Sequence, residues 1–444
     1  MKQSAWRYLW KSKDIRRKLL ISLALLAIYR LASNIPVPGI DRELVAQLTQ
    51  TGGAAGGLIN MLDMLSGGAV SNFSILAMGV YPYITAQIIL QLLIPIIPAL
   101  ERKMEEDPNE GRTWMEKWTM ILTIPMAALS AVGQINIFNA ILGQSVAAQF
   151  GFSGDVLIPT FATILSMMAG TLFGVWLGEL ISEFGIRGQG LSLIIFAGIV
   201  AKIPQNLYRL LSNQSYWWMI FIVLALLIVT IFAVVYVQQG RRHVPVMFPG
   251  RRVGSRMSMP VKSSVPLMVN MAGMIPIIFA QSFITFPTII ASFFNNSEVD
   301  WIRNVAVGIQ NFLGGEGVIY PIVFFLMVVL FTFFYTDILF AQQNYGENLK
   351  KQGAQIPGVA RGAPTQRYLT KVQRRITLPG ALFLGVVAAM PYFLGLLLPE
   401  GIQQTNIFLV SSSGLLIVVG VVRDTFQIIE TDLKMHGYDD RLIR

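Results

Sequence analysis

From Met64 to Leu100 the chain carries no Asp, Glu, Lys or Arg, a run of thirty-seven residues that a water-soluble domain could not leave so bare. A helix needs only about 20 apolar residues to cross about 30 Å of hydrocarbon, so this run exceeds one span. Charge-poor apolar stretches recur ten times, at 18–35, 74–98, 115–135, 156–180, 190–211, 216–238, 268–292, 318–340, 378–398 and 405–425. Only 13% of the 444 residues are charged and 54% are hydrophobic. An average soluble protein carries roughly twice that charge. A soluble globular protein is excluded, and a multi-pass membrane protein is expected.

The first span follows Lys2, Arg7, Lys11, Lys13, Arg16, Arg17 and Lys18, as a signal peptide would. Arg30 interrupts its far end and no small-residue cleavage site follows, so it reads as a retained helix. Trp6, Leu9 and Trp10 share one helical face ahead of it, suited either to an interfacial helix or to a disordered basic tail. Twenty-nine of the thirty-four Lys and Arg residues fall at the two termini and in the even-numbered loops. The positive-inside rule then puts both termini and those loops in the cytoplasm.

Loop 239–267 holds six basic and no acidic residues, and loop 341–377 holds seven basic residues against Glu347 alone. Such loops serve orientation and lipid contact, but both exceed what orientation requires. Pro245, Pro249, Gly250, Pro357, Gly358, Gly362 and Pro364 suit ordered protrusions. An RNA or an acidic protein surface would be a natural partner.

Catalytic groups are scarce. There is no cysteine, and the two histidines, His243 and His436, lie outside the spans. Neither an HExxH zinc motif nor a GxxxxGK[ST] phosphate loop occurs. No cofactor or metal site is expected, and any energy source must come from a partner. Five spans followed by five are compatible with two halves of opposite orientation, which is also the signature of a secondary solute transporter. A transporter wants an intramembrane carboxylate; Glu179, Glu183 and Asp337 are the available acids, each near a helix end. On composition alone, transporter and channel stand level.

The stretch SILAMGVYPYITAQIILQL at 74–92 resembles the second-helix signature of the SecY/Sec61-alpha protein-conducting channel family. Residues 176–196, WLGELISEFGIRGQGLSLIIF, resemble the segment entering its fifth helix, and VNMAGMIPIIFA at 269–280 resembles its seventh. ENLKKQGAQIPGVARGAPTQRYL at 347–369 is similar to its large loop between helices eight and nine. The matches run in the family's order over nearly the whole chain. Local departures exist. Where the family reads GIGNG, this chain has Gly185-Ile186-Arg187-Gly188-Gln189-Gly190, and its PGxRPG is Pro357-Gly358-Val359-Ala360-Arg361-Gly362 with the arginine displaced. An NP pair expected after helix eight is missing from Phe340-Ala341-Gln342-Gln343.

The resemblance implies an all-α polytopic membrane protein with ten transmembrane helices in two inverted five-helix halves around a central hourglass pore. The expected divisions are a cytoplasmic segment 1–17, an N-terminal half 18–211 with a plug at 57–72, a C-terminal half 212–425 and a cytoplasmic tail 426–444. It implies a pore ring of Ile84, Ile88, Leu191, Ile195, Ile278 and Ile417, although isoleucines in membrane helices mostly face lipid or core. Ile84/Ile88 and Leu191/Ile195 are four apart, so each pair shares a helix face. Asn60, Met61, Leu62, Asp63, Met64, Leu65, Ser66, Gly67 and Gly68 would belong to the plug, hinged at glycine pairs. A re-entrant half-helix or an external loop is the competing reading of that segment. The lateral gate would lie between helices two and seven, with Gln87, Gln91, Asn270, Gln281 and Ser282 bonding across it. Arg241, Arg242, Arg251, Arg252, Lys350, Lys351 and Arg361 would dock the SecA ATPase and the ribosome. SecE and SecG would be companion subunits, and signal sequences, nascent polypeptides and membrane lipids the other partners. The function implied is the channel of a Sec translocon in the cytoplasmic membrane, without enzymatic activity.

Overall fold

The apolar runs form helices because a backbone in hydrocarbon must satisfy its own hydrogen bonds. The computed structural model describes residues 12–40, 73–106, 108–142, 146, 150–151, 154–212, 217–248, 252–253, 256–257, 261–294, 299–313, 319–397 and 412–435. Among these, helices coincide with all ten expected spans: α1 (Lys13–Ala32), α2 (Tyr81–Leu93), α4 (Pro108–Leu142), α5 (Leu157–Phe184), α6 (Gly190–Ser212), α7 (Trp217–Gln239), α8 (Ile275–Ser292), α10 (Ile319–Gln342), α12 (Ala363–Leu397) and α13 (Ser412–Met435). Three more lie outside the spans: α3 (Pro98–Glu106), α9 (Asp300–Leu313) and α11 (Tyr345–Lys351). Among the described residues, the stretches Glu110–Asn139, Leu157–Phe184, Ile275–Ser292 and Ile319–Lys351 are each long and apolar enough on their own to cross a membrane.

Contacts divide the chain into two compact units. The first comprises 1–223, 281–321 and 391–444, and the second 224–280 and 322–390. The boundary falls inside α8, between Ala280 and Gln281.

In the first unit α2 packs on α4 and α5, α5 on α6, and α1 on α5 and α6. α13 packs on α6, and Lys18 of α1 bonds Asp432 of α13 at 2.8 Å while also pairing with Asp14 at 3.2 Å. The second apolar stretch opens at residue 74, but α2 begins only at Tyr81, beside the Gly79 and Pro82 at which the sequence places the start of that helix. Phe73 (φ 41°) and Gly79 (φ 52°) take the left-handed conformation, which breaks a helix, and Pro82 sits in the first turn, where its missing N–H costs nothing. The irregular stretch is buried: Phe73, Leu76, Ala77, Met78 and Val80 all lie in the core. It is held by Val37 N–H donating to Phe73 O at 3.2 Å and Ile75 N–H donating to Ile35 O at 3.0 Å. Phe73 also meets Phe138 of α4 edge to face, and the Gly170 Cα of α5 lies so close to Ile75 O that no side chain would fit between.

In the second unit the basic loop 239–267 folds as a hairpin. β1 (Arg241–Phe248) pairs antiparallel with β4 (Val261–Met268), from Arg241 opposite Met268 to Phe248 opposite Val261, and β2 (Arg252–Val253) pairs with β3 (Arg256–Met257). This is the one described departure from an all-helical chain. Val244 and Val246 alternate inward and join Leu267, Phe340, Leu349, Ala354, Ile356 and Leu369 in one apolar core. Gln355 extends the sheet through reciprocal 2.8 Å backbone bonds with Met247.

Other boundaries shift as well. α8 starts at Ile275 because Asn270 and a left-handed Gly273 (φ 64°) make a turn first. α12 starts fifteen residues ahead of its expected span, so the basic end of loop 341–377 is helical. α13 continues to Met435, well into the segment expected as a tail.

Candidate functional site

The seam between α2, α4 and the second half of α8 is built from a few direct bonds. Tyr81, at the start of α2, donates its hydroxyl proton to the backbone carbonyl of Ser282 at 3.3 Å. Ser292 donates to Ile289 O of its own helix at 2.6 Å with Gly133 O of α4 3.4 Å away, and Ile289 packs against Gly133 so tightly that a side chain there would collide. Ala77, Met78, Tyr81, Ser130, Gln134 and Ile289 enclose a small void at the same seam. Gln134 Nε2 and the Ser282 hydroxyl are buried there without a hydrogen-bond partner among the described residues.

The five expected gate residues fare unequally. Ser282 acts through its carbonyl rather than its side chain. Gln281 is buried on α8, Gln91 is buried on α2 with its Oε1 unpaired, and Gln87 is half-buried. Asn270 closes its own turn: its amide donates to Gly273 O and its Oδ1 accepts from Gly273 N–H, both at 3.0 Å. Tyr81, Gly133 and Ser292 escaped the sequence reading. An aromatic with a polar tip at a Pro-marked helix start was the available signal for Tyr81.

Of the expected pore ring, Ile84 and Ile88 are buried on one face of α2, Ile195 on α6 and Ile417 on α13, all in the first unit. Leu191 is half-buried and rests against Gly178 of α5, so helix packing accounts for at least part of its surface. Ile278 is buried in the second unit. The plug, 57–72, lies outside the described residues.

The docking residues come together by fold. Arg241 and Arg242 of β1, Lys350 and Lys351 of α11 and Arg361 are all exposed in the second unit, where the hairpin and loop 341–377 share a core. Arg361 sits between left-handed Gly358 and Gly362. Arg251 lies outside the described residues, and Arg252 falls in β2. Arg374 makes a two-pronged bond to Asp337 of α10 at 3.0–3.2 Å, and that carboxylate raises its pKa further.

A family model for SecY matches residues 74–426. The chain belongs to the SecY family. Protein translocase subunit SecY of Streptomyces galbus is 35% identical, over 98% of this chain and 99% of its own length. The Thermotoga maritima subunit is also 35% identical, over 98% and 96%. A solved protein-conducting channel shares the fold with a TM-score of 0.62 at 18% identity, covering 99% of this chain and 100% of that one. A second, described as showing that the SecY plug domain stabilises the closed channel and maintains a membrane seal, gives 0.60 at 17% with the same coverage.

Within this SecY fold the unusual turn at 185–190 has a physical account. Gly185 packs against Ser22 of α1, whose hydroxyl accepts from Ile186 N–H at 3.2 Å, and Gly190 lies against Gly178 O. Arg187 occupies the outward position, exposed beside a left-handed Gly188 with open space around it (φ 71°). The long cation thus fits without displacing the packed glycines on either side.

Proposed function

We propose that the chain is the central channel subunit of a Sec translocon, passing unfolded polypeptides across the cytoplasmic membrane and releasing hydrophobic segments sideways into lipid. The observation that carries this reading is the α2–α8 seam in a SecY-family chain: Tyr81 bonds across it to a backbone carbonyl, while Gln91 Oε1 and the Ser282 hydroxyl are buried without a hydrogen-bond partner among the described residues. Unpaired buried polar groups weaken a closed seam, because separation lets them find partners. Pro287 inside α8 removes a further backbone bond, easing bending of that helix.

In this reading helices one to five and six to ten form inverted halves, both termini are cytoplasmic, and Ile84, Ile88, Leu191, Ile195, Ile278 and Ile417 close a dewetted ring. Residues 57–72 plug it from outside. Gln87, Gln91, Gln281 and Ser282 border the gate together with Tyr81, with Asn270 shaping the entry to α8. The exposed basic surface of Arg241, Arg242, Lys350, Lys351 and Arg361 docks SecA or the ribosome together with Arg251 and Arg252 of the same loop, and SecE and SecG complete the complex. The chain itself performs no covalent chemistry; the motor supplies the energy.

Single-channel conductance of the purified protein with SecE in planar bilayers tests this. Rare large openings should become frequent on deleting 60–71 and in Ile88→Gly. Silent bilayers for all three proteins, alongside solute uptake into vesicles, would favour a transporter instead.

A further inference from the structure

A cavity of about 940 Å³ lies wholly within the second unit, between the C-terminal end of α10, α11 and the N-terminal half of α12. Its walls carry five cations, Lys350, Arg367, Lys371, Arg374 and Arg375, against one lining carboxylate, Glu347. Arg374 is engaged by Asp337. Lys350, Arg367, Lys371 and Arg375 make no ion pair among the described residues. Arg367, Lys371 and Arg375 recur every fourth residue, so α12 presents them along one face. Four uncompensated cations around one hollow repel one another, an arrangement that an anion relieves.

The other end of the cavity is apolar. Phe333 and Leu378 line it. From Leu378 the exposed residues Leu382 and Val386 continue along α12 at the same spacing, and from Phe333 the exposed residues Leu330, Leu326 and Ile322 continue along α10. Both rows are exposed apolar stretches of expected spans, and both lead into the basic hollow. A soluble anion or an acidic protein would use the charges and leave this apolar approach idle; an amphiphile uses both.

We propose that this cavity binds the phosphoryl headgroup of an anionic phospholipid, its phosphate among Lys371, Arg375, Arg367 and Lys350 and an acyl chain along Phe333, Leu378 and Leu382. The proposal rests on the topology above for its assignment to the cytoplasmic leaflet. There the site would tie α10 to α12 at the foot of the proposed docking surface.

The test uses the purified complex in non-ionic detergent, independent of any transport assay, so that failure of the channel reading and failure of this site are separable. Retention of short-chain phosphatidylglycerol, short-chain phosphatidylcholine and inorganic phosphate is measured by native mass spectrometry and titration. The glycerol lipid should bind in preference to the choline lipid, and phosphate should compete only weakly. Lys371→Gln with Arg375→Gln should weaken phosphatidylglycerol about 25-fold, roughly fivefold per charge removed. Leu378→Ser should weaken the lipid and leave phosphate unchanged. Equal competition by phosphate would mean a free-anion site and overturn the proposal. So would unchanged lipid affinity in the double variant, including the case where that variant loses only SecA or ribosome docking. An equal loss in Arg241→Gln with Arg242→Gln, away from the cavity, would mark a general charge effect and overturn it as well. Thermal unfolding of each variant separates loss of binding from loss of fold.

Discussion

At the scale of single residues, the Tyr81 hydroxyl bonds the start of α2 to the second half of α8. Tyr81→Phe keeps the ring and removes the bond. An interhelical bond in a membrane contributes about 0.6–1 kcal/mol, so the open fraction in planar bilayers should rise roughly three- to fivefold. A fall in open fraction would show that the hydroxyl favours the open seam. Gly170 offers a stability test, because a Cβ there would meet the carbonyl of Ile75, a backbone atom that cannot swing aside. Gly170→Ala should destabilise the protein by about 1–3 kcal/mol, read as a lower unfolding temperature in detergent. Neither residue stood out in the sequence. The amides Gln87, Gln91 and Gln281 drew the gate assignment because polar groups are rare in spans, yet the bond across the seam comes from an aromatic and a backbone carbonyl, whose partners only the fold reveals.

At the scale of elements, the spans were legible because hydropathy is a strong signal and each span satisfies its own backbone. Their ends were less so. In the apolar run 74–80 only Gly79 signals a break, and burial by α1, α4 and α5, rather than local composition, makes that irregular backbone tolerable. The hairpin was hidden for a different reason: Pro245 and Pro266 sit inside its strands, where proline is tolerated only because a two-stranded ribbon is all edge. Its basic outer face was visible, while its inner face of Val244 and Val246 is too short to signal by alternation. The hairpin and loop 341–377 therefore act as one element. Val246→Asp would bury a carboxylate in their common core and should free both segments to limited proteolysis, and it should weaken SecA or ribosome binding with every surface charge intact. Reversing charge at Arg241, Arg242, Lys350 and Lys351 should weaken the same binding more at low salt than at high salt. Binding that ignored salt in that variant would leave the loops as orientation signals alone.

At the scale of the whole molecule, the charge census predicts an orientation that thiol chemistry can check cleanly, because the chain has no cysteine of its own. Ser263→Cys, on the exposed side of β4, should react with a membrane-impermeant maleimide only from the cytoplasmic side. Gly308→Cys, on α9 with open space around it, should react only from the other side. Reversal of both would invert the topology and remove the cytoplasmic docking surface with it. The apolar spans and the two long basic loops were readable in the sequence. The interleaving of the two contact units was not, because it depends on which helices pack together and not on where the chain turns.

The buried stretch from Phe73 to Val80 has a mechanical meaning. It is lashed to the exit of α1 by two backbone bonds, wedged on Phe138 and pressed on Gly170, so it is a fixed mooring post rather than part of a moving arm. In the proposed channel a plug swing would pivot upstream of Phe73 and leave α2 unloaded, so clearing the mouth and parting the gate would be two separate motions, neither dragging the other along.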